Sequence, residues 1–219
     1  MERNQPTVKR QRRYDSSRRQ EKARQTRAAI VAAARERFLR DGFTATTIAA
    51  VADDAGVSVD TIYKTFGGKP GLVRGVYEQG LAGEGPVHAE LRSDELQTTE
   101  PDSAKVMRGI GRLITEVAPR AAPIMLLVRD AAAVDPEMAA LKGELEDQQL
   151  ERMTHNARNL ARAGHLRKDV SVEQAGIIMW SFIEPSLYEL LVMRRGWSIK
   201  KFADFVTTAL KAALLPNLS

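Results

Sequence analysis

The stretch AGVSVDTIYKTF, Ala55 to Phe66, decides the fold. Gly56 suits a tight turn, Ser58 follows as a helix cap, and Asp60 falls in the first turn, where unpaired backbone amides favour an acid. Val57, Ile62 and Phe66 would close a small core and leave Val59, Asp60, Tyr63 and Lys64 outside. Working back, a short helix fits Thr47 to Ala55, with Thr46 placed to cap it and Ile48, Val51 and Ala52 facing inward. A short helix, a glycine turn and a second short helix make a helix-turn-helix unit, which holds its second helix proud for entry into a major groove. Two short helices around a glycine also occur in all-α proteins that bind no DNA. The reading helix carries one cation, Lys64, against one acid, Asp60, so the charge that would attract a polyanion must lie elsewhere.

It lies upstream. Residues 1 to 27 hold ten Lys or Arg against three acids, a net +7, while the whole 219-residue chain is +5, which leaves −2 for the rest. A basic end on a slightly acidic body is the asymmetry of a nucleic-acid binder, and it is also what a solvated tail looks like. Residues 1 to 17 are expected to form a flexible basic arm, polar and without periodicity.

Ser17, three residues before Gln20, offers a capping box for a first helix that would run to about Arg40, with Ile30, Ala34 and Phe38 on one face and Gly42 as its left-handed stop. Gly67, Gly68 and Pro70 end the helix-turn-helix and start a connecting helix. The expected division is 18–66 for the DNA-binding domain, 67–80 for the connecting helix, and 81–219 for an effector-binding and dimerisation domain. In that last part Pro101 and Pro123 suit first-turn positions, Asp135-Pro136 opens a helix reaching towards Gly164, Ser171 with Gln174 opens a segment to about Arg194, and Ser198 opens the last. No stretch alternates at period two. The chain reads as all-α, in about nine helices.

Aromatic residues are only 5% of the chain, which favours helices over strands, and there is no cysteine, which excludes disulfides, thiolate nucleophiles and zinc ribbons. A reducing cytoplasm is the expected compartment. The start has no apolar signal core, and the most apolar later window, Ala175 to Met193, is interrupted by Glu184, Pro185 and Glu189, so no membrane span is expected. The three histidines, His88, His155 and His165, are scattered without metal spacing or a nucleophile partner. Gly109-Ile110-Gly111 meets Ile114 where a dinucleotide loop needs glycine, and Gly68-Lys69 lacks the rest of a phosphate loop. An enzyme, a cofactor and a metal site are therefore not expected. A non-specific DNA-coating protein would explain the charge, though not an effector-sized second domain.

The run Gly42 to Glu78 resembles the DNA-binding domain of the tetracycline-repressor (TetR) family. The matching features are Gly42-Phe43, Thr46-Thr47-Ile48, Val51-Ala52, Ala55-Gly56-Val57-Ser58, Thr61-Ile62-Tyr63, Phe66, Lys69 and Leu72. Trp180 to Leu215 is similar, more loosely, to the last two helices of one subgroup. The resemblance implies that Thr46, Thr47, Tyr63 and Lys69 contact phosphates, and that Val59, Asp60, Thr61 and Lys64 lie where base edges are read, with Ser58 in the same set. Asp60 can accept from a cytosine amino group or serve the helix dipole, and Val59 can meet a thymine methyl. Ala49 departs from the pattern, standing where many relatives carry a polar or basic residue.

The segment from Ser171 to about Arg194 is apolar nearly all round, and with the last helix it can form half of an intermolecular four-helix bundle. Burial within one subunit is the other possibility. The resemblance implies a homodimer through these last two helices, a double-stranded DNA operator and a small-molecule effector held among the middle helices. Candidates for lining that pocket are Met107, Ile110, Leu113, Met125, Met153, Met179, Trp180, Ile183, Glu184 and Tyr188, since methionines and aromatics make an adaptable apolar wall. Each of the apolar ones can equally be plain core.

Overall fold

The computed structural model describes residues 8–83 and 87–216, with side chains from residue 18 onward. Ten α-helices occupy these residues, in the order α1 (Val8–Ala45), α2 (Ile48–Ala55), α3 (Val59–Phe66), α4 (Lys69–Ala82), α5 (Ala89–Thr99), α6 (Ser103–Ala132), α7 (Pro136–Arg162), α8 (Val172–Ile183), α9 (Pro185–Tyr188) and α10 (Ile199–Leu214). A π-helical turn over Glu189–Arg194 prolongs α9. No strand occurs among the described residues, as the composition requires. The chain separates into two compact units, 1–72 and 73–219.

In the first unit α1 packs on α2, and α2 on α3. Ile30, Val31, Ala34 and Phe38 of α1 meet the register of Val51, Ala52 and Ile62, and all seven are buried, with Leu72 beside them. Each large apolar side chain fully buried contributes about 1.5–3 kcal/mol, so this small core holds on α1 the two short helices α2 and α3, of 8 residues each, which could not stand alone. Arg37 on α1 grips Asp54 on α2 through two hydrogen bonds, Nε to Oδ2 at 2.5 Å and Nη2 to Oδ1 at 2.8 Å.

Three expectations shift here. The first helix starts by Val8, not near Ser17, so the segment expected to be an arm is helical from its eighth residue; residues 1–7 lie outside the described part. Residues 8–41 contain neither Gly nor Pro and are rich in Arg, Gln and Ala, which lose little on entering a helix. At the other end Gly42 has φ 78° but ψ 176°, a kink in place of a left-handed stop, after which one more turn forms. The cap of α2 moves by one residue: Thr47, not Thr46, accepts from the Ala50 amide, at 3.1 Å.

The second unit is built on α7, which packs against α6 and α8, with α10 laid on α6. Its caps follow the sequence signals: Asp135 bonds the Glu137 and Met138 amides ahead of Pro136, Ser171 and Gln174 form the reciprocal capping box, and Ser198 accepts from Lys201. Pro123 departs from expectation, because α6 runs through it and through Pro119 as one helix. The missing amide donors are outweighed by burial on both sides, with Ala121, Ala122, Ile124 and Met125 all in the core. Pro101 stands outside α6, one residue ahead of the Asp102 cap. The long helix expected to Arg194 is broken at Glu184, where φ −57° and ψ 126° leave the helix one residue before Pro185. Glu189 restores the path by accepting from Arg129 of α6 at 2.7 Å and from Arg194. Among the described residues no single helix is long and apolar enough to cross a membrane.

Candidate DNA-reading surface and ligand cavity

In the first unit the turn is made by Gly56 at φ 63°, ψ 36°, a left-handed conformation that lets its amide reach back to the Ala52 and Asp53 carbonyls. Ser58 then caps α3 by accepting from the Thr61 amide at 3.2 Å, and its hydroxyl also meets Thr61 Oγ1 at 2.9 Å. The inner side of α3 is closed by Ile62, fully buried; the outer side shows Val59, Asp60, Tyr63 and Lys64, with Tyr63 51% exposed. Val59 and Tyr63 are one turn apart, so they form one apolar and aromatic stripe along the exposed face.

The charge puzzle of this helix resolves locally. Lys64 Nζ lies 2.6 Å from Asp60 Oδ2, both side chains about three-quarters exposed, as an i,i+4 pair with the acid towards the helix start. Such a pair contributes only about 0.3–0.5 kcal/mol, so either group can turn to a base edge at little cost. The helix is neutral outside and can discriminate without gripping.

Of the residues expected at phosphates, Thr47 and Tyr63 are exposed, and Lys69 starts α4 with Nζ 4.1 Å above the Phe43 ring centroid and 3.4 Å from the Thr44 carbonyl oxygen. Thr46 is different. It is 2% exposed and donates its hydroxyl to the Gly42 carbonyl at 2.8 Å, so this hydroxyl closes the kink at Gly42 and is not offered to solvent. Between α3 and α4, Gly71 lies so close to the Phe66 carbonyl that a Cβ there would be 1.8 Å from its oxygen, which locks the end of α3 to the start of α4. Arg27 of α1 stacks over the Phe66 ring at 4.6 Å, which brings the basic half of α1 to the same corner.

The second unit contains a cavity of about 270 Å³ walled by α4, α5, α6, α7, α8, α9 and α10. It gathers Ile110, Leu113, Met125, Met153, Met179, Ile183, Glu184 and Tyr188 from the expected set. Met107 and Trp180 lie outside it: Met107 is buried in the core beside Val106 and Leu160, and the Trp180 indole nitrogen is buried with no hydrogen-bond partner among the described residues. The Glu184 carboxylate accepts from the Ser186 amide at 3.0 Å and caps α9.

The sequence reading missed a polar wall. Tyr77 of α4, Ser93 of α5, and Gln149, Arg152 and Asn156 of α7 also line the cavity. Tyr77 Oη accepts from Gln149 Nε2 at 2.7 Å, and burial pushes the phenol pKa up to about 12, so it stays protonated. Arg152 bonds Asp94 through both Nη atoms, at 3.1 and 2.8 Å. The Asp94 carboxyl is held below its ordinary value despite a burial penalty, by Arg152 and then by His155. A signal for this wall existed: counting in fours with one step of three from Leu141, the inward stripe of α7 passes Leu145, Gln149, Arg152, Asn156 and Leu160, with polar residues at three positions.

A helix-turn-helix with a capped, outward-facing second helix, next to a basic helical segment, defines the first unit as a DNA-binding module. Residues 30–76 match the model of the amino-terminal domain described as "Bacterial regulatory proteins, tetR family". The uncharacterised HTH-type transcriptional regulator YvkB of Bacillus subtilis (strain 168) is 33% identical over 93 residues, 42% of this chain and 45% of that protein, so the match spans less than half of the relative. Among solved structures, NalD, the secondary repressor of the MexAB-OprM multidrug efflux pump of Pseudomonas aeruginosa, has the same fold at TM-score 0.64 and 19% identity, over 90% of this chain and 99% of its own. SmeT, the repressor of the Stenotrophomonas maltophilia multidrug efflux pump SmeDEF, does so in its triclosan complex at TM-score 0.65 and 17% identity, over 88% and 93%. The likeness to the tetR family of bacterial regulatory proteins thus rests on residues 30–76, and the likeness over the rest of the chain is one of fold.

Proposed function

We propose that the protein is a cytoplasmic transcriptional repressor that binds a palindromic double-stranded operator as a homodimer and is released by a small-molecule effector. The observation that carries this reading is the pairing, in one chain, of an exposed capped reading helix with a mainly apolar cavity. Val59, Asp60, Thr61 and Lys64 read base edges; Thr47, Tyr63 and Lys69 hold phosphates, with Ser58 fixing the helix start. Thr46 serves from behind, through the Gly42 carbonyl. The basic helix from Val8 to Arg27 supplies sequence-independent attraction.

Dimerisation is supported by large apolar side chains left exposed on the last elements: Ile177 on α8, Leu190 and Met193 on the π turn, and Phe205 on α10. Two copies joined there would present two reading helices, which for this class lie about 34 Å apart on successive major grooves. α4 is continuous from Lys69 to Tyr77, so one helix carries a phosphate contact and part of the cavity wall. An effector that prefers a dimer spacing unsuited to the operator weakens DNA binding by its differential affinity, and DNA weakens effector binding by the same factor. That NalD and SmeT are repressors, and that SmeT was solved with triclosan, supports the reading.

The test is titration of the protein against the DNA upstream of its own gene and against a scrambled duplex, at two salt concentrations. A palindromic footprint with a large affinity ratio is expected. Equal affinity for both duplexes would leave only a non-specific coating protein.

A further inference from the structure

Resting on the reading of the cavity as the effector site, the hydrogen-bond arrangement of its buried wall fixes the chemistry of what it takes. Gln97 of α5 sits fully buried beside Ser93 and Asn156. The orientation of its amide is set by a partner that can only accept: Nε2 donates to the Ser93 backbone carbonyl at 3.1 Å. The same nitrogen donates to Ser93 Oγ at 2.8 Å and to Asn156 Oδ1 at 3.2 Å. Its two N–H groups are shared among these three acceptors, and each side-chain oxygen accepts from it while keeping a second lone pair. Ser93 keeps a hydroxyl proton, and Asn156 keeps an amide N–H group whose one acceptor is the weak Met153 sulfur at 3.9 Å. Tyr77 repeats the pattern, since its oxygen accepts from Gln149 and its proton has no acceptor among the described residues.

Three side chains that line the cavity, each at least nine-tenths buried, thus have donors to spare and oxygens that already accept, while the buried Gln97 Oε1, which has no partner among the described residues, is not part of the lining. None of them carries a charge. The charged residues at the cavity are partly or fully exposed, with Arg152 bound to Asp94 and Glu184 to the Ser186 amide. A charged group placed at Tyr77, Ser93 and Asn156 would meet no charge on those three side chains, and the cavity's charges are the exposed Glu90, Arg152 already bound to Asp94, and Glu184 already accepting from an amide, whereas an uncharged oxygen acceptor would satisfy donors that are otherwise unmade. A cavity of about 150 Å³ holds benzene, so 270 Å³ suits a bicyclic body or a ring with a short chain.

We propose that the effector is an uncharged, mainly apolar molecule with one oxygen acceptor, a ketone, lactone or ether, received by Tyr77, Ser93 and Asn156. The probes are four compounds of one shape: tetralin, 1-tetralone, 1-aminotetralin and tetralin-1-carboxylate, measured by calorimetry on the full chain and by displacement from operator DNA. 1-Tetralone should bind about tenfold tighter than tetralin, the worth of one to two neutral hydrogen bonds, and both charged analogues should bind more weakly than tetralone. Tyr77→Phe with Ser93→Ala should remove the preference for tetralone and leave tetralin binding unchanged, which also shows that the variant is folded. Equal binding of tetralin and tetralone, or tightest binding of a charged analogue, overturns this inference and leaves the cavity as a ligand site. Binding of no member overturns both. Selective tetralone binding without release from DNA upholds the chemistry and overturns release by effector.

Discussion

Gly71 and Gly143 are both helical glycines, and the structure assigns opposite signs to replacing them by alanine. In an open helix interior Gly→Ala stabilises by about 0.5–1 kcal/mol, because glycine loses the most backbone freedom on folding. Gly143, on the exposed side of α7, has nothing within 4 Å of a built Cβ, so it should show that gain. At Gly71 the built Cβ is 1.8 Å from Phe66 O and 2.9 Å from Phe66 C, where contacts under 3.0 Å do not occur. Something must move by about 1.2 Å, and both sides of the clash are backbone. Overpacking of that kind costs about 1–3 kcal/mol, so the steric term exceeds the propensity gain and the net loss is about 1–2 kcal/mol. For a chain of this length that is a fall of about 2–8 °C in Tm. The strain falls on the last turn of α3, under the Arg27 and Phe66 stack, so operator affinity should drop with it. Scanning calorimetry and anisotropy on Gly71→Ala and Gly143→Ala check both signs. A Gly71→Ala protein that melts no lower than wild type and keeps its operator affinity would refute the close approach of α3 and α4.

Ser58→Ala removes the cap bond to the Thr61 amide and should cost about 1 kcal/mol of stability, with weaker binding to operator and scrambled DNA alike; calorimetry and anisotropy would show it. Asp60→Asn removes one acid of the exposed pair with Lys64, so affinity for scrambled DNA should rise and its salt dependence steepen, while a selective loss on operator DNA would make Asp60 a base reader. Deleting residues 1–17, which hold five Lys or Arg against two acids, should lower the slope of log affinity against log salt by about 0.9 for each phosphate that the shortened chain leaves un-neutralised. The Asp54 carboxyl is held below its ordinary value by its hydrogen bonds from Arg37. As its folded pKa is depressed, the pair's contribution is complete above the unfolded value and is lost as pH falls through the folded one, below about pH 4. Asp54→Asn should therefore flatten the acid limb of a Tm against pH curve and leave its neutral limb parallel.

What could be read from the chain was what is decided within a few residues. Ser58, Asp135 with Pro136, Ser171 with Gln174, and Ser198 each start a helix by bonding amides two or three positions on, and the structure forms every one of those bonds. Pro123 failed as a start signal because a proline marks a boundary only when no packing outweighs its lost donor, and α6 is packed through that point. Thr46 and Thr47 are adjacent hydroxyls either of which could cap; the choice fell to the kink at Gly42, which takes the Thr46 proton. Eight of the expected residues line the cavity, three methionines and Tyr188 among them, since bulky apolar side chains must pack around any hollow in the core. The polar wall was legible only in its α7 part, as polar residues on one inward stripe, because Tyr77, Ser93 and Asn156 come from three helices and meet only in space.

The near-neutral reading helix follows from the same division of labour. A helix that had to hold DNA by charge would bind every sequence alike, since phosphate attraction carries no base information. In this chain the positive charge is concentrated in residues 1–27, while α3 pairs its single cation with its single acid. The two roles can therefore be separated by mutation. Changes in α1 before Ala28 should scale affinity on all duplexes together, and changes at Val59 or Lys64 should alter the ratio between duplexes. A charge-removing change in α1 that altered the ratio as much as the affinity would place base reading in the basic helix and not in α3.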